Sequence, residues 1–308
     1  MEKKASVSNP KLDQLNRRRF LNLTGLGFAG LVMPPNSISC NAIEQTHSAK
    51  LSMQLYTVRN ELAKDIPGTL KRIKEIGFNY VETAFWAEGV TLSDAAKYIQ
   101  DAGLSVSSSH IEIPIGESKK VMLETAKAFK NENMIWHGWP EDKRYSTLAG
   151  TMELIKIYNE ASRFARENGL KFGLHNHWWE YRNKFDGMYV YELLYKELDE
   201  DIFFEVDTYW VKVAGQDPAK IINKLGKRVK LLHVKDGPAK WNDNLPEDNP
   251  DPMTAIGKGT QDFKAIFKES KDVAEWLVVE MDKTSTDVFQ VLKESYDFMI
   301  QNNFISII

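Results

Sequence analysis

A single cysteine, Cys40, stands in 308 residues, so no intrachain disulfide can form. An excess of one charge sign is also lacking. The formal net charge is −3, and the basic stripe that marks a nucleic-acid footprint is missing. The apolar stretch 21–33 is closed by Pro34 and Pro35 and is too short for a comfortable membrane span. No Gly-rich phosphate loop follows the first β-like run, which counts against a dinucleotide-binding fold. What remains is ordinary globular composition, 43% hydrophobic and 27% charged, with length for one large domain or two smaller ones. Lys and Glu are interspersed along segments such as 119–130, as on a solvated helix face.

The N-terminal segment reads as separate from the fold. Asn16-Arg17-Arg18-Arg19-Phe20-Leu21 precedes the short apolar stretch, and this order resembles a twin-arginine export signal. The expectation is a leader and linker over residues 1–48 and an exported, periplasmic protein. Ser37-Ile38-Ser39-Cys40 resembles a bacterial lipobox, with Ser37 where that pattern has Leu or Val. A lipid anchor on Cys40 is therefore a second expectation.

From residue 51 onward, short apolar runs alternate with helical patterns. Strands are expected at 51–55, 80–83, 104–109 and 134–136, then near Gly173-Leu174-His175, Phe204-Glu205-Val206-Asp207, Leu231-Leu232-His233 and Leu277-Val278-Val279-Glu280. Helices are expected at 66–76, 93–102, 119–131, 148–168, 189–198, 218–225, 263–268 and 288–302. Runs of about four apolar residues suit strands buried on both faces. Gly77, Gly103 and Gly169 fall where helices should stop. Repeated strand–helix units imply a parallel sheet with right-handed crossovers, and eight of them over residues 49–308 predict a single (β/α)₈ barrel. Gly257-Lys258-Gly259 could cradle an anion, although a plain loop is the simpler reading.

Four of these strands end on potential metal ligands. His175-Asn176-His177 with Glu180 close behind, Asp207, His233 and Glu280 would converge on one mouth of a barrel. Carboxylates and imidazole together suit a divalent cation such as Mn²⁺, Co²⁺, Zn²⁺ or Mg²⁺. A carboxylate at Asp207 would be costly inside a barrel without a cation or donor, although Asp is also a favoured helix cap. Glu82, His110 and His137 end strands two, three and four and are expected to line the pocket. Trp210, with Trp178 and Trp179, could stack on a sugar ring or simply pack. Lys235 reads either as the ion-pair partner of Asp236 or as a group polarising a substrate oxygen. Asp282 reads as an outer partner or a cap.

Taken in order, His-Asn-His-x-x-Glu, Glu-Val-Asp, His-Val-Lys-Asp and Val-Val-Glu-Met-Asp resemble the xylose-isomerase-like barrel superfamily of sugar phosphate isomerases and epimerases. The resemblance spans residues 51–308. It implies one divalent metal held by Glu180, Asp207, His233 and Glu280. The chain departs from the pattern at strand five, where the epimerases carry their Glu on the strand itself and this chain has His175 and His177. His177 is therefore the competitor for the first ligand.

The chemistry implied is proton transfer. A metal that chelates neighbouring hydroxyl and carbonyl oxygens of a sugar acidifies the adjacent C–H and stabilises an enediolate. Glu180, Glu280 or His177 would move the proton, with His110 as a further candidate base. Return to the other carbon isomerises and return to the opposite face epimerises. Loss of a β-substituent gives a lyase or dehydratase acting on 3-keto-glycosides or inosose-like substrates. Two other classes compete. An abasic-site endonuclease of the same superfamily would need further ligands and a basic groove. A non-catalytic periplasmic sugar-binding protein would not need a metal flanked by carboxylates.

Overall fold

The structure, a computed structural model, describes residues 49–242 and 252–305. The Arg17-Arg18 motif, Cys40 and the whole expected leader lie outside the described residues.

Eight parallel strands close into a barrel: β1 Lys50–Gln54, β2 Tyr80–Thr83, β3 Ser105–Ile111, β4 Asn133–Trp136, β5 Lys171–His175, β6 Phe203–Asp207, β7 Val229–Val234 and β8 Trp276–Val279. Closure is direct, with Lys50 opposite Trp276 and Met53 opposite both Val279 and Val81. The expected (β/α)₈ barrel is thus the fold, from alternation of short apolar runs with amphipathic helices. Helices Ile66–Ile76, Leu92–Asp101, Leu148–Glu167, Pro218–Leu225, Phe263–Ser270 and Val288–Gln301 start at Asp65, Thr91, Thr147, Asp217, Asp262 and Asp287. Each of these short side chains accepts a backbone N–H of the first turn, satisfying a donor that the helix itself cannot.

Elements absent from the sequence-based expectation cluster at the carboxyl ends of the strands. They include the one-turn helix Trp179–Arg182, a hairpin of Lys184–Phe185 with Met188–Tyr189, and the helix Thr208–Val213. All are shorter than the window over which periodicity can be read.

Strand alternation sorts the barrel interior into layers. Ile135, Phe203, Leu231 and Val278 pack together, with Trp276 against them, as an apolar floor. Two residues further along each strand, the same face carries His137, Glu205, His233 and Glu280. At Gly173 a Cβ would lie 2.2 Å from the Phe203 ring, so a glycine there makes room for that ring beneath His175.

Candidate active site

Above the apolar floor, ionisable groups replace carbon. Glu82, Glu205, Asp207, His233 and Lys235 are all at most 1% exposed, and Glu280 is 4% exposed. Desolvating each charge costs several kcal/mol, so the arrangement persists only through mutual pairing.

Asp207 serves two purposes at once. Its Oδ1 accepts from the backbone N–H groups of Tyr209 (2.9 Å) and Trp210 (3.0 Å), capping the helix Thr208–Val213. Its backbone N–H donates to Asn176 Oδ1 at 2.9 Å. That leaves Oδ2, which is buried with no hydrogen-bond partner among the described residues. Asp207, His233 and Glu280 bring one ligand atom each to within 4.8 Å of one another. His233 Nδ1 and Glu280 Oε2 lie 2.5 Å apart, yet both lack a properly aligned hydrogen bond. Buried polar atoms without partners are rare, and three of them facing one point suit a cation. Burial alone would depress the His233 imidazole, but Glu205, Glu280 and Glu82 around it hold its pKa well above the ordinary value. Burial would raise Glu280, but Lys235 and His233 hold it well below. The field at this spot favours positive charge.

The far side of His233 is anchored. Its Nε2 donates to Glu82 Oε1 at 2.7 Å and lies 3.1 Å from Glu205 Oε2. If a cation took the place of the proton that this field holds on Nδ1, Nε2–H would still donate to Glu82 and the Nδ1 lone pair would face Asp207 and Glu280, as a ligating histidine requires. Glu82 is itself fixed by Gln54 Nε2 (2.6 Å) and Ser108 Oγ (2.5 Å). Glu205 Oε2 accepts from His110 Nε2 at 2.7 Å and lies 3.2 Å from His175 Nδ1.

The fifth strand departs from expectation. Glu180 belongs neither to the group Asp207, His233 and Glu280 nor to the other cluster of potential ligands found among the described residues, His110, His175, Glu205 and His233. The one-turn helix Trp179–Arg182 turns it back, and its Oε2 accepts from the His177 backbone N–H at 3.0 Å. Burial pushes its carboxyl up to about 8. His175, on the strand itself, occupies the corresponding place. Its Nε2 lies 3.9 Å from Asp207 Oδ2, and its Nδ1 lies 3.2 Å from Glu205 Oε2. Burial and then His233 lower its pKa to about 3, so its ring is neutral.

A cavity of about 170 Å³ opens directly on this group, lined by His110, His137, His175, His177, Glu280 and Asp282 together with Tyr56, Phe85, Trp139 and Trp210. It is roomy enough for several waters or a small polar molecule. His137 is fixed in one tautomer, since Nδ1 accepts from Trp139 N–H (3.0 Å) while Nε2 faces Glu112 at 3.2 Å. His177 stacks on Trp179 with ring centroids 4.5 Å apart, and burial holds its imidazole well below the ordinary pKa. Of the expected pocket residues, His110, His137 and Trp210 do face the cavity. Glu82 and Lys235 do not line it. Glu82 lies behind His233, and Lys235 Nζ is taken up by Asp282, Asp207 and Glu280.

Lys235 and Asp236 do not pair. Asp236 instead accepts from the N–H groups of Gly257 (2.9 Å), Gly259 (2.9 Å) and Gln261 (3.1 Å). The Gly257-Lys258-Gly259 turn is therefore a cradle for the chain's own carboxylate. Glu205 and Gln54 were not foreseen. The signal for Glu205 was its spacing, since a residue two before Asp207 shares its face.

The family model described as xylose isomerase-like TIM barrel matches residues 70–302. The inosose dehydratase of Clostridium beijerinckii is 26% identical over 136 residues, 41% of this chain and 45% of that protein. The chain thus spans less than half the length of that relative. A sugar phosphate isomerase/epimerase from Parabacteroides distasonis superposes with a TM-score of 0.67 at 24% identity, covering 89% of this chain and 100% of that one. The IOLI protein, crystallised with a binding zinc atom, gives 0.60 at 15% identity over 83% and 99% of the two chains. At these identities the superpositions show the shared fold.

Proposed function

Because the chain belongs to the xylose isomerase-like TIM barrel family, we propose that it is a divalent-metal-dependent enzyme that moves a proton on a carbon next to a carbonyl in a carbohydrate. One observation carries the reading: Asp207 Oδ2, His233 Nδ1 and Glu280 Oε2 are buried, make no aligned hydrogen bond among the described residues, and gather beside a cavity lined by histidines and aromatic rings. Asp207, His233 and Glu280, with His175, would hold the ion. The ion would supply Lewis acidity at the substrate oxygens, which makes the neighbouring C–H acidic.

The chain's own groups do the rest. Glu280 lines the cavity as a carboxylate held in its charged form and can accept a proton. His177, kept neutral by burial, faces the same cavity and can take or return one on another side. His110 and His137 offer ring nitrogens to hydroxyl groups. Aromatic faces of Trp210, Trp139 and Phe85 give a sugar ring an apolar wall.

Isomerisation or epimerisation is the first reading. Similarity to an inosose dehydratase supports a second, in which the proton's departure expels a neighbouring hydroxyl or glycosidic oxygen. Reaction in heavy water separates them. Isomerisation or epimerisation by proton transfer leaves deuterium on carbon in a product of unchanged composition, whereas elimination yields an unsaturated product. A product free of deuterium would point to a hydride shift and remove Glu280 and His177 as bases. Glu280→Gln should lower turnover more than metal binding, since an amide offers an oxygen but accepts no proton. Export by the twin-arginine route belongs to the same reading. Replacing Arg17 and Arg18 by Lys should leave precursor in the cytoplasm, and an unchanged exported yield would refute it.

A further inference from the structure

Lys235 stands among three carboxylates and treats them differently. Its Nζ donates to Asp282 Oδ1 and Oδ2, both at 3.0 Å. Asp207 Oδ2 and Glu280 Oε2 are closer, at 2.8 and 2.7 Å. Neither makes an aligned hydrogen bond with any group among the described residues. The ammonium's aligned hydrogen bonds go to Asp282, and its contacts with Asp207 and Glu280 are close ion pairs. Those two oxygens are the ones assigned above to a divalent ion.

Asp282 is well placed to hold the ammonium. Its backbone carbonyl accepts from Arg59 Nη2 at 3.0 Å, and the preceding Met281 N–H donates to Thr57 Oγ1 at 3.0 Å. The segment after β8 is thus pinned to the chain after β1. Lys235 is 1% exposed, so no water is at hand to take its protons in place of Asp282.

We propose that Asp282 is a positioning residue for the metal centre: by engaging the donors of Lys235 it keeps the lone pairs of Asp207 Oδ2 and Glu280 Oε2 free for a divalent cation. The proposal rests on the metal-dependent reading above. Without the Asp282 charge, the ammonium would turn its donors to Asp207 and Glu280 and contend with the ion for their oxygens.

The test is calorimetric titration of chelator-stripped full-length protein with Mn²⁺. Asp282→Asn is isosteric, and Asp282 is among the less buried members of the group, so this variant is expected to fold. Circular dichroism in chelator checks that it does. Its Mn²⁺ affinity should fall roughly 10–100-fold, the range for outer partners of metal ligands. Adding Lys235→Met to Asp282→Asn removes the competitor and should restore most of the lost affinity. A merely structural role predicts the double variant to be as weak as the single one or weaker. Unchanged affinity in Asp282→Asn, or failed rescue in the double variant, overturns this proposal alone. Wild-type protein that binds no Mn²⁺ overturns the metal-dependent reading together with it.

Discussion

Glu280 and Glu180 are both carboxylates buried just past the end of a barrel strand, and their surroundings are opposite. Glu280 has Lys235 Nζ at 2.7 Å and His233 Nδ1 at 2.5 Å, and it is held anionic although burial acts against it. Among the described residues, Glu180 has no cation within ion-pair distance. It accepts a backbone N–H from His177, and burial raises its carboxyl to about 8. Burial is common to both, so burial does not make a ligand. What separates them is countercharge, which decides whether a buried carboxylate keeps its charge. The first belongs to a site that favours cations, and the second is a neutral acid that fixes the turn carrying His177.

The comparison can be broken at its strongest point first. His233→Ala removes a ligand nitrogen and leaves Glu82, Glu205 and Glu280 facing one another without it. Mn²⁺ affinity should fall by more than the roughly 10–100-fold that outer partners cost, measured by calorimetric titration. The protein should also lose about 3–5 kcal/mol of stability, as when one partner of a buried pair is removed. Unaltered metal affinity would place the ion elsewhere.

A subtler change tests the layer behind the ligands. Glu205 faces His110, His175 and His233 through one oxygen and does not line the cavity. Glu205→Gln keeps the shape and removes the charge that orients those rings. Metal affinity should drop roughly 10–100-fold with little change in substrate KM at saturating metal. A selective rise in KM would mean that Glu205 acts on substrate directly.

The smallest effect concerns Glu180. Its carboxyl is raised from 4.5 to about 8 in the folded protein, so the fold binds a proton that the unfolded chain has released. Stability from this group is full below about pH 4.5 and is lost as the pH rises toward 8. Glu180→Gln should flatten that decline. Between pH 5 and pH 8 the gain should reach about 2–4 kcal/mol, given roughly 1.36 kcal/mol per pH unit and some relaxation around the site. Thermal melts at the two pH values check it, and equal slopes for both proteins would show that Glu180 is charged in the fold.

Much of this architecture was legible in the sequence because buried parallel strands write themselves as short apolar runs. The eighth strand's Leu277-Val278-Val279 and the seventh's Leu231-Leu232 ended where polar residues began, and Asp207, His233 and Glu280 came together at one mouth. The fifth strand was harder. His175, His177 and Glu180 all follow one apolar run, and only the turn of the helix Trp179–Arg182 decides which of them points inward. Strand three extended to Ile111 rather than stopping at 109, so His110 lies within the strand and reaches the barrel centre. Glu205 stayed hidden because, inside an apolar run, a charged residue carries no local mark of its partners. Those partners, His110, His175 and His233, come from three other strands.

Titration of chelator-stripped protein with Mn²⁺, wild type beside Glu180→Gln, tests the contrast between the two carboxylates most directly. The account predicts one ion per chain in both proteins with unchanged affinity, because Glu180 is not a ligand. Loss of binding in Glu180→Gln, or no binding in the wild type, would contradict it.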